Sequence, residues 1–160
     1  MRTVHLGDLL VQHGVLTAAQ RDAVLAAQKE RGGPFGALAE QMFGVNPGAV
    51  ERAWAEQFDT IAPHVDPRTF PVQHRVLEVI SRRQAWQFRV LPLEIRGSDL
   101  VLCTTREALV RALKFTGWRL GHAVQFVIAE ANPLGEAMER YYPMAGMRAS
   151  MLSDPLPMAA

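Results

Sequence analysis

His5-Leu6-Gly7-Asp8-Leu9-Leu10-Val11-Gln12-His13-Gly14-Val15-Leu16 and Pro34-Phe35-Gly36-Ala37-Leu38-Ala39-Glu40-Gln41-Met42-Phe43-Gly44-Val45 open the same pattern twice. Each begins a unit of 24 residues, the first ending at Gln28 and the second at Gln57, with Lys29 to Gly33 between them. In register, Gly7 falls on Gly36, Leu9 on Leu38, Leu16 on Val45, Leu25 on Trp54 and Gln28 on Gln57. A repeat of fixed period identifies the supersecondary unit before any residue is read singly. Two copies are too few for a solenoid, so the expectation is a pair of helical hairpins related by a pseudo-twofold axis.

The chemistry inside one unit agrees with that reading. Leu6, Leu9, Leu10 and His13 recur at helical spacing, and Gly14 can stop the short helix with a positive φ. Thr17-Ala18-Ala19-Gln20 has the form of a capping box, and the alanine-rich helix after it runs towards Gly32-Gly33. In the second unit Asn46 is a cap and Pro47 a first helical residue, where a missing N–H costs nothing. Val50, Trp54 and Phe58 then fall on one face at i, i+4 and i+8. Each unit reads as short helix, turn, longer helix.

Outward from the repeat the texture changes. Residues 61–70 hold Pro63 and Pro67 with little periodicity and read as a linker after a lobe spanning 1–60. Pro71 is expected to open a helix carrying Val72, Val76, Leu77 and Ile80 up to about Trp86. Phe88 to Ile95 is strand-like, Arg96-Gly97-Ser98-Asp99 is turn chemistry, and Leu100 to Cys103 completes a hairpin. Thr104 with Glu107 suggests a capping box for a helix from Ala108 to Phe115 that stops at Thr116-Gly117. Val124 to Ile128 is a third strand, and Asn132-Pro133 starts a last helix with Leu134, Ala137, Met138 and Tyr141 on its buried side. Residues 143–160, with three prolines and four methionines, read as a disordered tail. The expected fold class is therefore α+β: four helices in two tandem hairpins, then a small α/β lobe over 71–142 with about three strands and three helices.

Composition narrows the function classes. Seventeen basic residues against sixteen acidic give no bulk electrostatic pull towards nucleic acid or membrane. The single Cys103 excludes an intramolecular disulfide and is expected to be buried and inert. No apolar run reaches the length of a signal peptide or a membrane span, so a cytoplasmic location and no membrane insertion are expected. The histidines at 5, 13, 64, 74 and 122 stand in no metal-binding spacing, and neither His-Glu-x-x-His nor Gly-x-Ser-x-Gly occurs. The chain is read as no enzyme and as requiring no cofactor.

The repeat resembles the N-terminal domain of type II secretion and type IV pilus assembly ATPases, the GspE/PilB/MshE N-domain. Leu6, Gly7, Gly14, Leu25 and Gln28 carry the likeness in the first unit, and Gly36, Leu38 and Gln57 in the second. Arg89-Val90-Leu91-Pro92-Leu93, Phe115-Thr116-Gly117 and Glu139-Arg140-Tyr141-Tyr142 extend it to the second lobe, so that it covers roughly Val4 to Tyr142. In that family, two such motifs with a five-residue spacer can bind cyclic di-GMP. The resemblance thus implies a ligand set of His5, Leu6, Gly7, Gly14, Leu25, Gln28, Phe35, Gly36, Leu38 and Gln57. It also implies a protein partner within a secretion or pilus assembly. The family's motor needs a Gly-x-x-x-x-Gly-Lys-(Ser/Thr) loop to cradle phosphates, and these 160 residues contain none.

Several positions depart from the pattern. The motif's opening arginine is His5 in one unit and Pro34 in the other, its second glycine is Phe43 in the second unit, and its leucine at position seventeen is Arg21 in the first. Histidine replaces an arginine fork only in part, and proline not at all. Arg2 and Arg31 are near enough in sequence to be considered as substitutes. Three functions follow in order: a regulatory domain with a partly eroded cyclic di-GMP site, a docking adaptor that has lost the ligand, and non-specific nucleic-acid contact through Arg82, Arg83 and Arg89. Each candidate also has a plain structural role. The glycines can serve close helix packing, the glutamines can tie down helix ends, Trp54 and Phe58 can be core, and the arginines can be a solvated helix face.

Overall fold

Capping sets the helix limits of the repeat. The Thr17 hydroxyl accepts from the Gln20 N–H at 3.1 Å while the Gln20 side chain accepts from the Thr17 N–H at 2.9 Å. This is the expected box, and it starts α2 (Ala18–Arg31), which Gly32 ends at φ +74°. Before it, α1 (Leu6–Gln12) gives way to Gly14 at φ +73°. In the second unit α3 (Phe35–Phe43) runs further than α1 and stops at Gly44, φ +64°. The glycine shifted from position ten to position eleven thus matches a longer helix. Asn46 Oδ1 accepts from the Gly48 N–H at 2.7 Å, and Pro47 is the first residue of α4 (Pro47–Ile61).

The computed structural model describes residues 5–119 and 123–155, and the chain divides into two units, Met1–Ile61 and Ala62–Ala160. In the first, α1 packs chiefly on α4 and α3 chiefly on α2, more than either does on the long helix of its own repeat. The repeats therefore interlock rather than fold as two self-contained hairpins. The exchange is reciprocal, as a pseudo-twofold arrangement requires. Leu9, Leu10, Leu16 and Val24 from one repeat share a buried cluster with Leu38, Ala39, Val45, Ala49 and Ala53 from the other. His13 Nε2 stands 2.9 Å from Glu56 across the repeats.

The second unit holds a three-stranded sheet in the order β1-β2-β3. Strands β1 (Val90–Arg96) and β2 (Asp99–Thr104) form the expected hairpin, with a register shift between Pro92 and Glu94. Strand β3 (Ala123–Ile128) lies parallel to β2. The connection between β2 and β3 contains α6 (Leu109–Arg119). With α5 (Arg82–Phe88) and α7 (Ala131–Tyr141) the fold is α+β, as expected.

Five local expectations are corrected here. Residues 61–70 are tied into the second unit: Ile128 N–H donates to Pro63 O, and Val65 N–H to Ile128 O, each at 2.9 Å. The helix expected from Pro71 to Trp86 is broken into a 3-10 turn (His74–Glu78) and α5, because Ser81 and Gln84 make a capping box of their own. Thr105, not Thr104, accepts from the Ala108 N–H, and α6 runs on through Gly117. The buried Thr104 hydroxyl donates instead to Arg89 O at 2.9 Å. Helix α7 begins before Asn132, with Glu130 as its cap.

The tail is the fifth. Residues 143–155 pack rather than stray: Leu152 is buried, and a 3-10 turn spans Ala149–Ser153. Gly135 on α7 admits this strand of backbone, since a Cβ there would sit 2.6 Å from Ala149 Cα. Arg89, buried at φ +54°, donates to Leu152 O at 3.2 Å and to Asp154 O at 2.8 Å. Burial lowers the pKa of its guanidinium, and the charge of Arg111 adds to this, against Asp154 and Glu107. The Trp86 indole donates to Tyr142 O, and the Tyr142 hydroxyl to Leu77 O. Cys103 is buried as expected, which pushes its thiol up to about 12. Residues 156–160 and Arg2 lie outside the described residues.

Candidate functional site

The crossing of α1 and α3 leaves a cleft of about 380 Å³ in the first unit. Its first-repeat wall is His5, Leu6, Gly7 and Asp8, with Arg21, Leu25 and Gln28 from α2. The second repeat contributes Phe35 and Gln57. Seven of the ten residues expected at a ligand site are thereby brought together. The other three are elsewhere: Gly14 is an exposed helix stop, Leu38 lies in the core, and Gly36 packs under Val50.

A glycine at the third position of each repeat makes the crossing possible. A Cβ on Gly7 would stand 2.8 Å from the Phe35 ring and 3.1 Å from Arg21 Cγ. A Cβ on Gly36 would stand 2.6 Å from Val50 Cγ1 and 3.8 Å from Leu6 Cδ2. The residue before each glycine therefore leans on the other repeat's glycine. Close packing accounts for both glycines by itself.

Asp8 and Arg21 were not singled out as site residues from sequence. Arg21 Nη1 donates to Asp8 Oδ1 at 3.1 Å, while Nε and Nη2 both reach Asp22 Oδ1 at 3.2 Å. A signal did exist, because Arg21, Leu25 and Gln28 are spaced i, i+4, i+7 and must share one face of α2. Leu25 remains 47% exposed, an apolar side chain at the cleft without cover. His5 is exposed at the entry to α1, and its side chain caps nothing. The Gln28 amide donates to Gly33 O at 3.0 Å, which ties down its helix end as one of the two readings of that residue required.

The cleft is one-sided. Pro34, Ala37, Val50 and Trp54, the second-repeat counterparts of His5, Asp8, Arg21 and Leu25, do not line it. Trp54 and Phe58 stack at 5.5 Å between centroids but are only half-buried, so they are neither core nor cleft. Of the basic cluster near the second lobe, Arg82 and Arg83 are exposed and Arg89 is buried, which removes it as a continuous patch for nucleic acid. Among the described residues, no group of three or more His, Cys, Asp and Glu could hold a metal. No described helix is long and apolar enough to cross a membrane.

The chain is similar to known proteins. Type IV pilus assembly ATPase PilB of Myxococcus xanthus (strain DK1622) is 23% identical over 144 residues, 88% of this chain. The chain spans 25% of the length of that curated relative. A solved structure of MshE with cdg (cyclic di-GMP) aligns at a TM-score of 0.50 and 25% identity, covering 87% of this chain and 99% of that one. The N-terminal domain of XpsE aligns at a TM-score of 0.44 and 20% identity, over 86% of this chain and 93% of that one. A family model described as the MshEN domain matches residues 62–148, more than half of the chain and all within the second unit. The chain belongs to the MshEN domain family, in line with its resemblance to the N-terminal domain of type II secretion and type IV pilus ATPases.

Proposed function

We propose that this chain is a non-enzymatic regulatory and docking domain of a type II secretion or type IV pilus assembly, acting in the cytoplasm, and that its first-unit cleft takes cyclic di-GMP. The observation that carries the reading is the convergence of His5, Leu6, Gly7, Leu25, Gln28, Phe35 and Gln57 on one cleft. The similar MshE structure, which holds that nucleotide, supports it. Leu6, Leu25 and Phe35 offer apolar faces for guanine bases, and the Gln28 and Gln57 amides offer paired donors and acceptors for a base edge. The cation supply is thin, because His5 and Pro34 stand where the motif has arginine. Losing one charge-assisted hydrogen bond costs about 1.5–3 kcal/mol, or roughly one to two decades of affinity. Binding is therefore expected to be weaker than in an intact motif.

Calorimetry with cyclic di-GMP on the wild type and on a His5→Arg, Pro34→Arg double variant tests this. Binding by the wild type supports the reading, and tighter binding by the double variant locates the loss at the opening positions. Binding by the variant alone marks an eroded site and leaves docking as the working role. Heat from neither protein removes the ligand. The second reading, a docking adaptor without nucleotide, is favoured by one observation: packing explains Gly7 and Gly36, and Gly33 engages Gln28, with no ligand needed.

A further inference from the structure

The geometry points to Arg21 as the phosphate-binding cation of the cleft, with Asp8 as the carboxylate that an incoming phosphate displaces from it. The inference rests on the nucleotide reading above and assigns a role to two residues outside the ten singled out for it. Arg21 stands one helical turn from Leu25 and two from Gln28 on the face of α2 that walls the cleft. Its stem is held where Gly7 lacks a side chain, so the guanidinium is delivered to the cleft from a packed base rather than from a free tether. A guanidinium is the side chain whose planar fork fits phosphate oxygens.

Its present partners divide the work. Asp22 takes both Nε and Nη2 on a single oxygen and does not line the cleft. It can keep Arg21 oriented while a ligand is bound. Asp8 takes only Nη1, lines the cleft, and has a side chain 53% exposed. An ion pair so open to water contributes little, so exchanging its carboxylate for a phosphate oxygen costs little. An unmoved Asp8 would instead repel the ligand's charge at close range. On the other repeat the equivalent of Arg21 is Val50, packed against Gly36, and the equivalent of Asp8 is Ala37. The cation is therefore supplied to one side only.

The test titrates cyclic di-GMP into the full chain and into Arg21→Leu, Arg21→Lys and Asp8→Asn variants at low and moderate salt. Arg21→Leu should weaken binding by about tenfold or more and flatten its salt dependence. Arg21→Lys should fall between, retaining the charge without the fork. Asp8→Asn should bind several-fold more tightly. Undiminished or improved binding by Arg21→Leu overturns the assignment alone, as does weaker binding by Asp8→Asn. Silence from the wild type and every variant, with unchanged circular dichroism, overturns the assignment and the nucleotide reading together.

Discussion

His5 stands against Pro34, Asp8 against Ala37, Arg21 against Val50, Leu10 against Ala39 and Val24 against Ala53 when the two repeats are laid in register. At these five positions the first repeat carries the polar or the larger side chain and the second the apolar or the smaller one, while Leu6 against Phe35 and Leu25 against Trp54 run the other way. Both nevertheless build a short helix, a turn and a long helix, and both present glycine at the crossing. Backbone symmetry survives such divergence because it depends on caps, glycine stops and helix spacing, which tolerate many side chains. The lining of the cleft does not keep that symmetry, because it depends on the individual side chains each repeat supplies. The cleft is one-sided for that reason.

The comparison can be broken first in the core, where the effect is largest. Leu10 is fully buried, and Leu10→Ala should cost about 2–5 kcal/mol in urea unfolding. Enlarging its counterpart, Ala39→Leu, should cost about 1–3 kcal/mol by overpacking. A negligible loss at Leu10 would show that the first repeat does not supply the bulk of the shared core. Next come the crossing glycines. Gly36→Ala meets the stiff Val50 side chain at 2.6 Å, whereas Gly7→Ala meets a ring edge and a flexible stem. We expect about 1–3 kcal/mol for Gly36→Ala and less for Gly7→Ala, with the reverse order contradicting the reciprocal packing described.

Smaller effects sharpen the contrast at the caps and the surface. Thr17→Ala removes a two-bond box and should cost about 1 kcal/mol or slightly more. Asn46→Ala removes one bond and should cost less, and equal losses would mean the box adds nothing over a single cap. The bridge between His13 and Glu56 is partly exposed, so Glu56→Gln should shift stability by less than about 1 kcal/mol. A larger shift there would make the contact between repeats a polar one as well as an apolar one.

Several features that depend on neighbours within about four residues could be read from the chain alone: the Thr17 box, the Asn46 cap, the glycine stops and the β1–β2 turn. These features close their hydrogen bonds locally, so the residues that make them stand side by side in the sequence. Where two local signals competed, reading the sequence fell short: Ser81 with Gln84 broke the helix expected through Trp86, and Thr105 took the cap expected of Thr104. Seven residues of the cleft were legible because the resemblance to the family's motif implied them, whereas the repeat alone marked positions and not roles. Arg21 was visible as a departure from the motif and as sharing a helix face with Leu25 and Gln28, but its position in the wall follows from α2 lying against α3, a contact the sequence does not state. The interlocking of the repeats, the burial of Arg89 and the packing of residues 143–155 against Gly135 were likewise decided by the tertiary structure. Each joins segments far apart in the chain, and such pairings are selected by the fit of whole surfaces rather than by any residue's own preference.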